Sequence, residues 1–212
     1  MASATLFHPA VGSLSQTTKM PGFSFGISAK KCITGAKLRK IKGTVCHTCY
    51  AFRAFYQYPS VTNAHENRLN LFNADNEAWT AGMIYLIKKS ATKYFRFFDS
   101  GDLQSLDMLK CIVNVVRACK GVKFWLPTRE YGIIGDYNRE GLKFPSNLNV
   151  RLSAYMVNAD APVELAASMG CTASGVTSGK GNCYAQTSGS KECGTCRKCW
   201  SPRIPSVNYH SH

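Results

Sequence analysis

The chain has 212 residues, enough for one sizeable domain or one domain with a small appendage, and its 45% apolar content can build a core without disulfides. Twenty-six basic residues against 12 acidic give a formal charge of +14, which favours polyanions without specifying one. No apolar run of about 18 residues exists to span a bilayer, and residues 1–19 lack the charged and apolar regions of a secretory signal. A cytoplasmic protein with no membrane partner is expected.

Residues 1–19, rich in Ser, Thr, Ala and Pro, read as a flexible arm with no core of its own. FSFGIS, 23–28, alternates Phe23, Phe25 and Ile27 with small residues, as a half-buried strand does, and runs on to Cys32. A basic loop, GAKLRKIKG, leads to Cys46 and Cys49. From about 63 to 90 the pattern is helical, with Leu69 and Phe72 and then Trp79, Met83, Leu86 and Ile87 at spacings of three and four. Asp75 or Asn76 suits the cap of the second helix. KYFRFFD, 93–99, is a buried strand ending in DSGD, and 103–120 is a helix with Leu106, Leu109, Val113 and Val116 on one side, stopped by Gly121. A strand over 122–130 is broken at Pro127, a short helix covers Tyr131 to Arg139, and NVRLSAY, 149–155, is a further strand. This alternation predicts parallel pairing with right-handed crossovers. From Gly170 the chain turns to Gly, Ser, Thr and Cys with almost no aliphatic periodicity, so a metal centre is expected to order it. Three segments result: the arm 1–19, a core 20–169, and a cysteine-rich extension 170–212.

Ligands of parallel sheets bind beyond the carboxyl ends of the strands. Those ends deliver Cys32; then Asp99, Ser100, Gly101 and Asp102; then Thr128, Arg129 and Glu130; then Ser153 and Tyr155. Asp99, Ser100, Asp102 and Arg129 are the candidate cofactor-binding residues. Asp102, just before Leu103, also reads as a helix cap, with Gly101 making the turn.

Ten cysteines in a reducing compartment point to metal ligands, reactive thiols or core residues rather than disulfides. Cys111 and Cys119 stand about 12 Å apart along one helix, too far to share a metal, and read as core. Cys171 stays open. Cys46 and Cys49, joined by Cys32, supply three thiolates, which leaves one position of a cubane free. Cys183, Cys193, Cys196 and Cys199 form C-x9-C-x2-C-x2-C, and the two successive x2 spacings favour a [4Fe–4S] cluster over zinc. One cluster or two remains open. None of the five histidines has a companion at ligand spacing, although His47, inside the first CxxC, could donate to a ligand sulfur.

The order of these parts resembles the radical S-adenosylmethionine superfamily: a first strand leading to three cysteines, then DSGD where that superfamily often has GGE, then WLPTRE where TNG-like turns occur. The resemblance implies a cluster on Cys32, Cys46 and Cys49, with DSGD approaching the methionine part of the cofactor. Thirteen residues separate Cys32 from Cys46, where the superfamily usually has CxxxCxxC. KMPGFSFGISAKKC, GTVCHTCYA, FRFFDSGDLQS, WLPTREY, VRLSAY and CGTCRKCW together are similar to the bacteriophage gene-product-88 family, over roughly residues 19–201. That implies a phage-encoded iron–sulfur protein in the cytoplasm of an infected bacterium. The expected fold is α/β: a partial parallel (βα) barrel resembling the radical-SAM core, with an irregular cysteine-rich C-terminal extension. Redox or radical chemistry on an unidentified substrate or redox partner is expected, and whether the chain is an enzyme stays open. The alternative is a zinc-stabilised nucleic-acid binder, suggested by the charge and by Arg197, Lys198 and Trp200 around the terminal cysteines.

Overall fold

The computed structural model describes residues 6–211. A short hairpin, β1 (Phe7–His8) and β2 (Gly12–Ser13), precedes β3 (Phe23–Phe25), a short helix α1 (Thr34–Leu38) and two long helices, α2 (Pro59–Ala74) and α3 (Asn76–Lys89). Strand and helix then alternate: β4 (Tyr94–Phe97), α4 (Leu106–Ala118), β5 (Lys123–Thr128), α5 (Tyr131–Arg139), β6 (Leu148–Val157), α6 (Val163–Ser168), β7 (Thr172–Thr177), α7 (Tyr184–Thr187) and β8 (Ser206–His210). Strands β3 to β8 form one sheet in chain order, and every neighbouring pair is parallel. The sheet is open, ending at β3 and β8. No helix among the described residues is long and apolar enough to cross a membrane.

The alternation of side chains along each strand gives the sheet two unlike faces. Phe25, Phe95, Phe97, Phe124, Leu126 and Leu152 lie in one hydrophobic core with Trp79 and Met83 of α3 and Leu109 and Val113 of α4. Positions paired across the sheet share a face, and on the other side Ser24, Arg96, Trp125 and Asn149 form one such row. Arg151 pairs with Thr172, and Ser153 with Ser174, further along the same polar face. Trp200 covers this face: it packs edge-on against Trp125 at 5.3 Å and Tyr94 at 5.6 Å, and its Nε1 donates to Phe95 O at 2.9 Å.

Several elements differ from the sequence expectation. Residues 7–14 form a hairpin with Val11 and Leu14 buried, packed into the core, instead of a free arm. It nests at Gly82 of α3, where a Cβ would lie 2.6 Å from His8 Nδ1 and 2.8 Å from Val11 Cγ2. Residues 1–5 of the expected arm lie outside the described residues. Past residue 170 the chain adds β7 and β8 to the same sheet, held by ladder hydrogen bonds and small buried residues such as Ala173 rather than by aliphatic periodicity. Helix α4 begins at Leu106, capped by Ser105 Oγ accepting from Met108 N at 3.1 Å, so Asp102 is not its cap. Strand β5 runs through Pro127 unbroken; its pairing with β4 has already ended at Trp125, so no ladder on that side needs the missing N–H. Asp75 caps α3 as expected, Oδ1 accepting from Ala78 N at 2.8 Å.

Candidate metal centres

Cys32 follows a 3-10 turn (Ala29–Lys31) just beyond β3, and the loop that follows brings Cys46 and Cys49 back over the strand ends. Two anchors hold that loop. Glu130, buried at the end of β5, accepts from Thr34 N at 2.8 Å and Thr34 Oγ1 at 2.7 Å. At the end of β6 the ladder to β7 shifts register between Ser153 and Val157, and β6 pairs with the loop instead: Val45 N donates to Tyr155 O at 2.8 Å, and Val157 N to Gly43 O at 2.9 Å. Cys46 and Cys49 flank a turn closed by Cys49 N donating to Cys46 O at 3.3 Å. Gly35 faces the sulfurs: a Cβ there would lie 3.5 Å from Cys32 Sγ and 3.6 Å from Cys46 Sγ. Burial pushes the Cys32 thiol up, and Asp102, Cys49, Cys46 and Glu130 push the same way. Burial also raises Cys46, against the pull of the Arg129 guanidinium. A bound cation would reverse the mutual opposition of these thiols to ionisation.

The DSGD turn begins at Phe98, a non-glycine residue at φ +56° whose N–H donates to Phe25 O at 2.6 Å. Gly101 sits at φ +76°, where a Cβ would meet Ile27 Cγ1 at 2.4 Å and Ile27 O at 2.8 Å. Gly101→Ala is expected to cost about 2 kcal/mol or more, combining left-handed strain with contact against a backbone carbonyl. Chemical denaturation checks this; an unchanged midpoint would contradict the close approach.

The four candidate cofactor-binding residues divide into two pairs. Asp102 Oδ1 accepts from Thr128 Oγ1 at 2.6 Å and Leu103 N at 2.8 Å, and Oδ2 from Arg129 N at 2.9 Å. Burial pushes its carboxyl up to about 6, against those three hydrogen bonds. Half-buried Arg129 donates Nε to Ala154 O at 3.2 Å, so this pair ties strand ends together. Asp99 and Ser100 are both buried, and Ser100 lines a pocket. Asp99 O accepts from Tyr50 OH at 2.5 Å and Oδ2 from Tyr56 OH at 3.4 Å, while Oδ1 has no hydrogen-bond partner among the described residues. Ser100 lines about 230 Å³ of open space with Lys30, Tyr56, Thr62 and His65.

Two polar residues of this region escaped sequence reasoning. His65 is buried and stacked on Tyr56 at 6.1 Å, and burial, then the Arg68 charge, push it down. Arg68, also buried, donates Nη1 to Gly26 O at 3.1 Å and Nη2 to Ser15 Oγ at 3.0 Å. Both share the buried stripe of α2 with Leu69 and Phe72, and that helical spacing was the signal available.

The second set gathers elsewhere. Cys183, Cys193, Cys196 and Cys199 line one shallow pocket with Trp200 and Val207. Cys196 N donates to Cys193 O at 2.8 Å, the same CxxC turn as in the first set, and Gly194 supplies φ +48°. The segment is pinned to the polar sheet face. Asn149 Nδ2 donates to Cys199 O at 2.7 Å; fully buried Arg151 donates Nη1 to Ala173 O at 2.5 Å and Nη2 to Lys198 O at 3.2 Å and Ile204 O at 3.3 Å. Tyr209 OH lies 3.2 Å from Cys199 Sγ. Burial and the neighbouring thiols Cys199, Cys183 and Cys196 push Cys193 up to about 11. Cys199 is raised by burial, against the Tyr209 hydrogen bond and the Arg151 and Arg96 charges. Neither guanidinium has a carboxylate partner: the ion pairs among the described residues are Lys110–Glu140 and Arg139–Asp136.

A run of contacts joins the sets. Tyr50, next to Cys49, places its OH 3.5 Å from Arg96 Nη2; Arg96 Cζ lies 4.4 Å from the Trp125 ring; Trp125 packs on Trp200, next to Cys199. Among the described residues, no three His, Cys, Asp or Glu side chains stand close enough to share one metal ion. The remaining cysteines are apart from both sets. Cys111 and Cys119 pack at the core, and Cys171, pushed up to about 12 by burial, donates Sγ to Met169 O at 3.4 Å. His47 Nδ1 lies 3.0 Å from Arg39 O, a backbone partner.

Fold and sites thus define a parallel α/β protein with one set of converging thiols over its strand ends and another on its polar sheet face. The chain belongs to the gene product 88 family, the phage family that its motifs resemble; the family's sequence profile matches residues 8–178. The match covers the first thiol set and stops short of Cys183, where the motif likeness had extended to residue 201. No curated protein and no solved structure matches the chain.

Proposed function

We propose that this is a phage-encoded iron–sulfur protein of the host cytoplasm, with one [4Fe–4S] cluster on Cys183, Cys193, Cys196 and Cys199 and another on Cys32, Cys46 and Cys49. The observation that carries the reading is the pocket lined by four cysteines and no other metal-binding side chain, beside two guanidinium groups without carboxylate partners. Four thiolates around a cluster core of charge 2+ leave about −2, the counter-charge that buried Arg151 lacks.

The first set supplies three thiolates, and Gly35 leaves their approach free of a side chain. A [4Fe–4S] cluster with one iron free of protein ligands supplies a position for the amino and carboxylate groups of S-adenosylmethionine and an electron for its sulfonium. Ser100 and, next to it, Asp99 would meet polar groups of that cofactor, while Asp102, Thr128 and Glu130 keep three strand ends in register. The order of the strands and the position of the thiols beyond their carboxyl ends support a partial (βα) barrel of radical-SAM type. The contacts from Tyr50 through Arg96 and Trp125 to Trp200 support exchange of one electron between the two centres.

The cofactor assignment has a direct test. S-adenosylmethionine should bind the reconstituted protein in calorimetry and alter the paramagnetic resonance of the reduced protein, and Cys32→Ala should abolish both effects. Binding and spectral change that persist in Cys32→Ala would remove this assignment and leave a non-catalytic electron carrier.

A further inference from the structure

The charge of this protein is unevenly placed. The first 53 residues hold eight of the 26 basic residues and none of the 12 acidic ones. Seven of those cations fall between Lys30 and Arg53, all exposed, and none takes part in an ion pair among the described residues. They sit on the loop that covers the strand ends. Exposed rings adjoin them: Phe55 is 72% exposed and Tyr58 54%, and the two meet edge to face at 5.4 Å. Arg39 stacks over Phe52 at 3.4 Å, and Lys30 borders the same pocket as Phe52 and Tyr56, so cations meet the ring-bearing segment 52–58 that carries Phe55 and Tyr58.

We infer that this surface binds single-stranded nucleic acid, with Lys37, Arg39, Lys40 and Lys42 on the phosphates and Phe55 and Tyr58 stacking on unpaired bases. Uncompensated cations give affinity for any polyanion. The rings narrow the choice. Bare aromatic faces beside a cationic track gain stacking from bases that a single strand presents and a duplex hides. An anionic lipid surface also takes cations with exposed rings, so vesicles enter the test as a competitor. Neither thiol set is needed to place the loop, since Glu130 and the end of β6 hold it.

The test is fluorescence anisotropy of a short labelled oligothymidylate with the full metal-loaded chain, with heparin, duplex DNA and phosphatidylserine vesicles as competitors. Binding should weaken linearly in log–log plots against salt. Reversing three charges together, Lys37→Glu, Arg39→Glu and Lys40→Glu, should weaken it roughly tenfold or more. Phe55→Ala and Tyr58→Ala should each weaken the oligonucleotide about fivefold or more while leaving heparin binding unchanged. All these side chains are exposed, and circular dichroism with iron content verifies the fold of each variant. No binding at low salt, parental affinity in the charge-reversed protein, ring variants that bind like the parent, or stronger competition by vesicles or duplex would each overturn the inference.

Discussion

Replacing Cys196 with alanine should remove about half of the iron and sulfide from the protein and release the segment between α7 and Trp200. Residues 183–198 contain no buried side chain, and their Gly, Ser and Lys content offers nothing for a core. Their contacts with the sheet lie at the two ends, where Gln186 exchanges hydrogen bonds with the backbone of His210 and where Lys198 O, Cys199 O and Trp200 meet the polar face. The order of the rest depends on what the four thiols hold, so metal binding and local folding are one equilibrium. Hydrogen exchange should rise over 183–197 and stay low in β7 and β8, whose ladder is independent of the thiols. Cys46→Ala should remove the other half of the iron and leave this segment protected. An unchanged iron content and exchange pattern in Cys196→Ala would show that the pocket holds nothing.

Arg151→Met should cost about 3 kcal/mol or more in chemical denaturation and shift the reduction potential of the C-terminal centre to more negative values. The guanidinium is wholly buried and donates to three backbone carbonyls, those of Ala173, Lys198 and Ile204. Methionine keeps most of the apolar stem but leaves those acceptors without their charged donor. A buried cation with no carboxylate near it is costly unless something negative lies beside it. Cys199 is the neighbour that qualifies, and the Arg151 charge opposes the rise of its thiol. Removing that charge disfavours the more negative, reduced state. Parental stability and an unshifted potential would make Arg151 a bystander.

Much of this architecture is readable from the residues alone. The aromatic run at β4, the apolar stripe of α4 and the Asp75 cap all declare themselves by period and position. The two thiol sets are readable as well, because CxxC spacing imposes a turn whatever lies around it. Other features depend on partners that spacing does not show. Val11 and Leu14 give no pattern; they are buried because Gly82 leaves room for the hairpin. Strand β7, TASGVT, carries almost no large side chain and is buried by its neighbours. Asp102 looks like a helix cap until Thr128 and Arg129 are brought to it from 26 and 27 residues away. Arg96 and Arg151 did carry a signal, a charge in the middle of an apolar strand. It marks the face on which the second thiol set is held.

The most direct measurement is iron, acid-labile sulfide and zinc per chain on protein prepared without oxygen and with iron supplied during expression. Two cubanes predict about eight irons and eight sulfides per chain with little zinc. Zinc without sulfide would contradict the iron–sulfur account at both thiol sets.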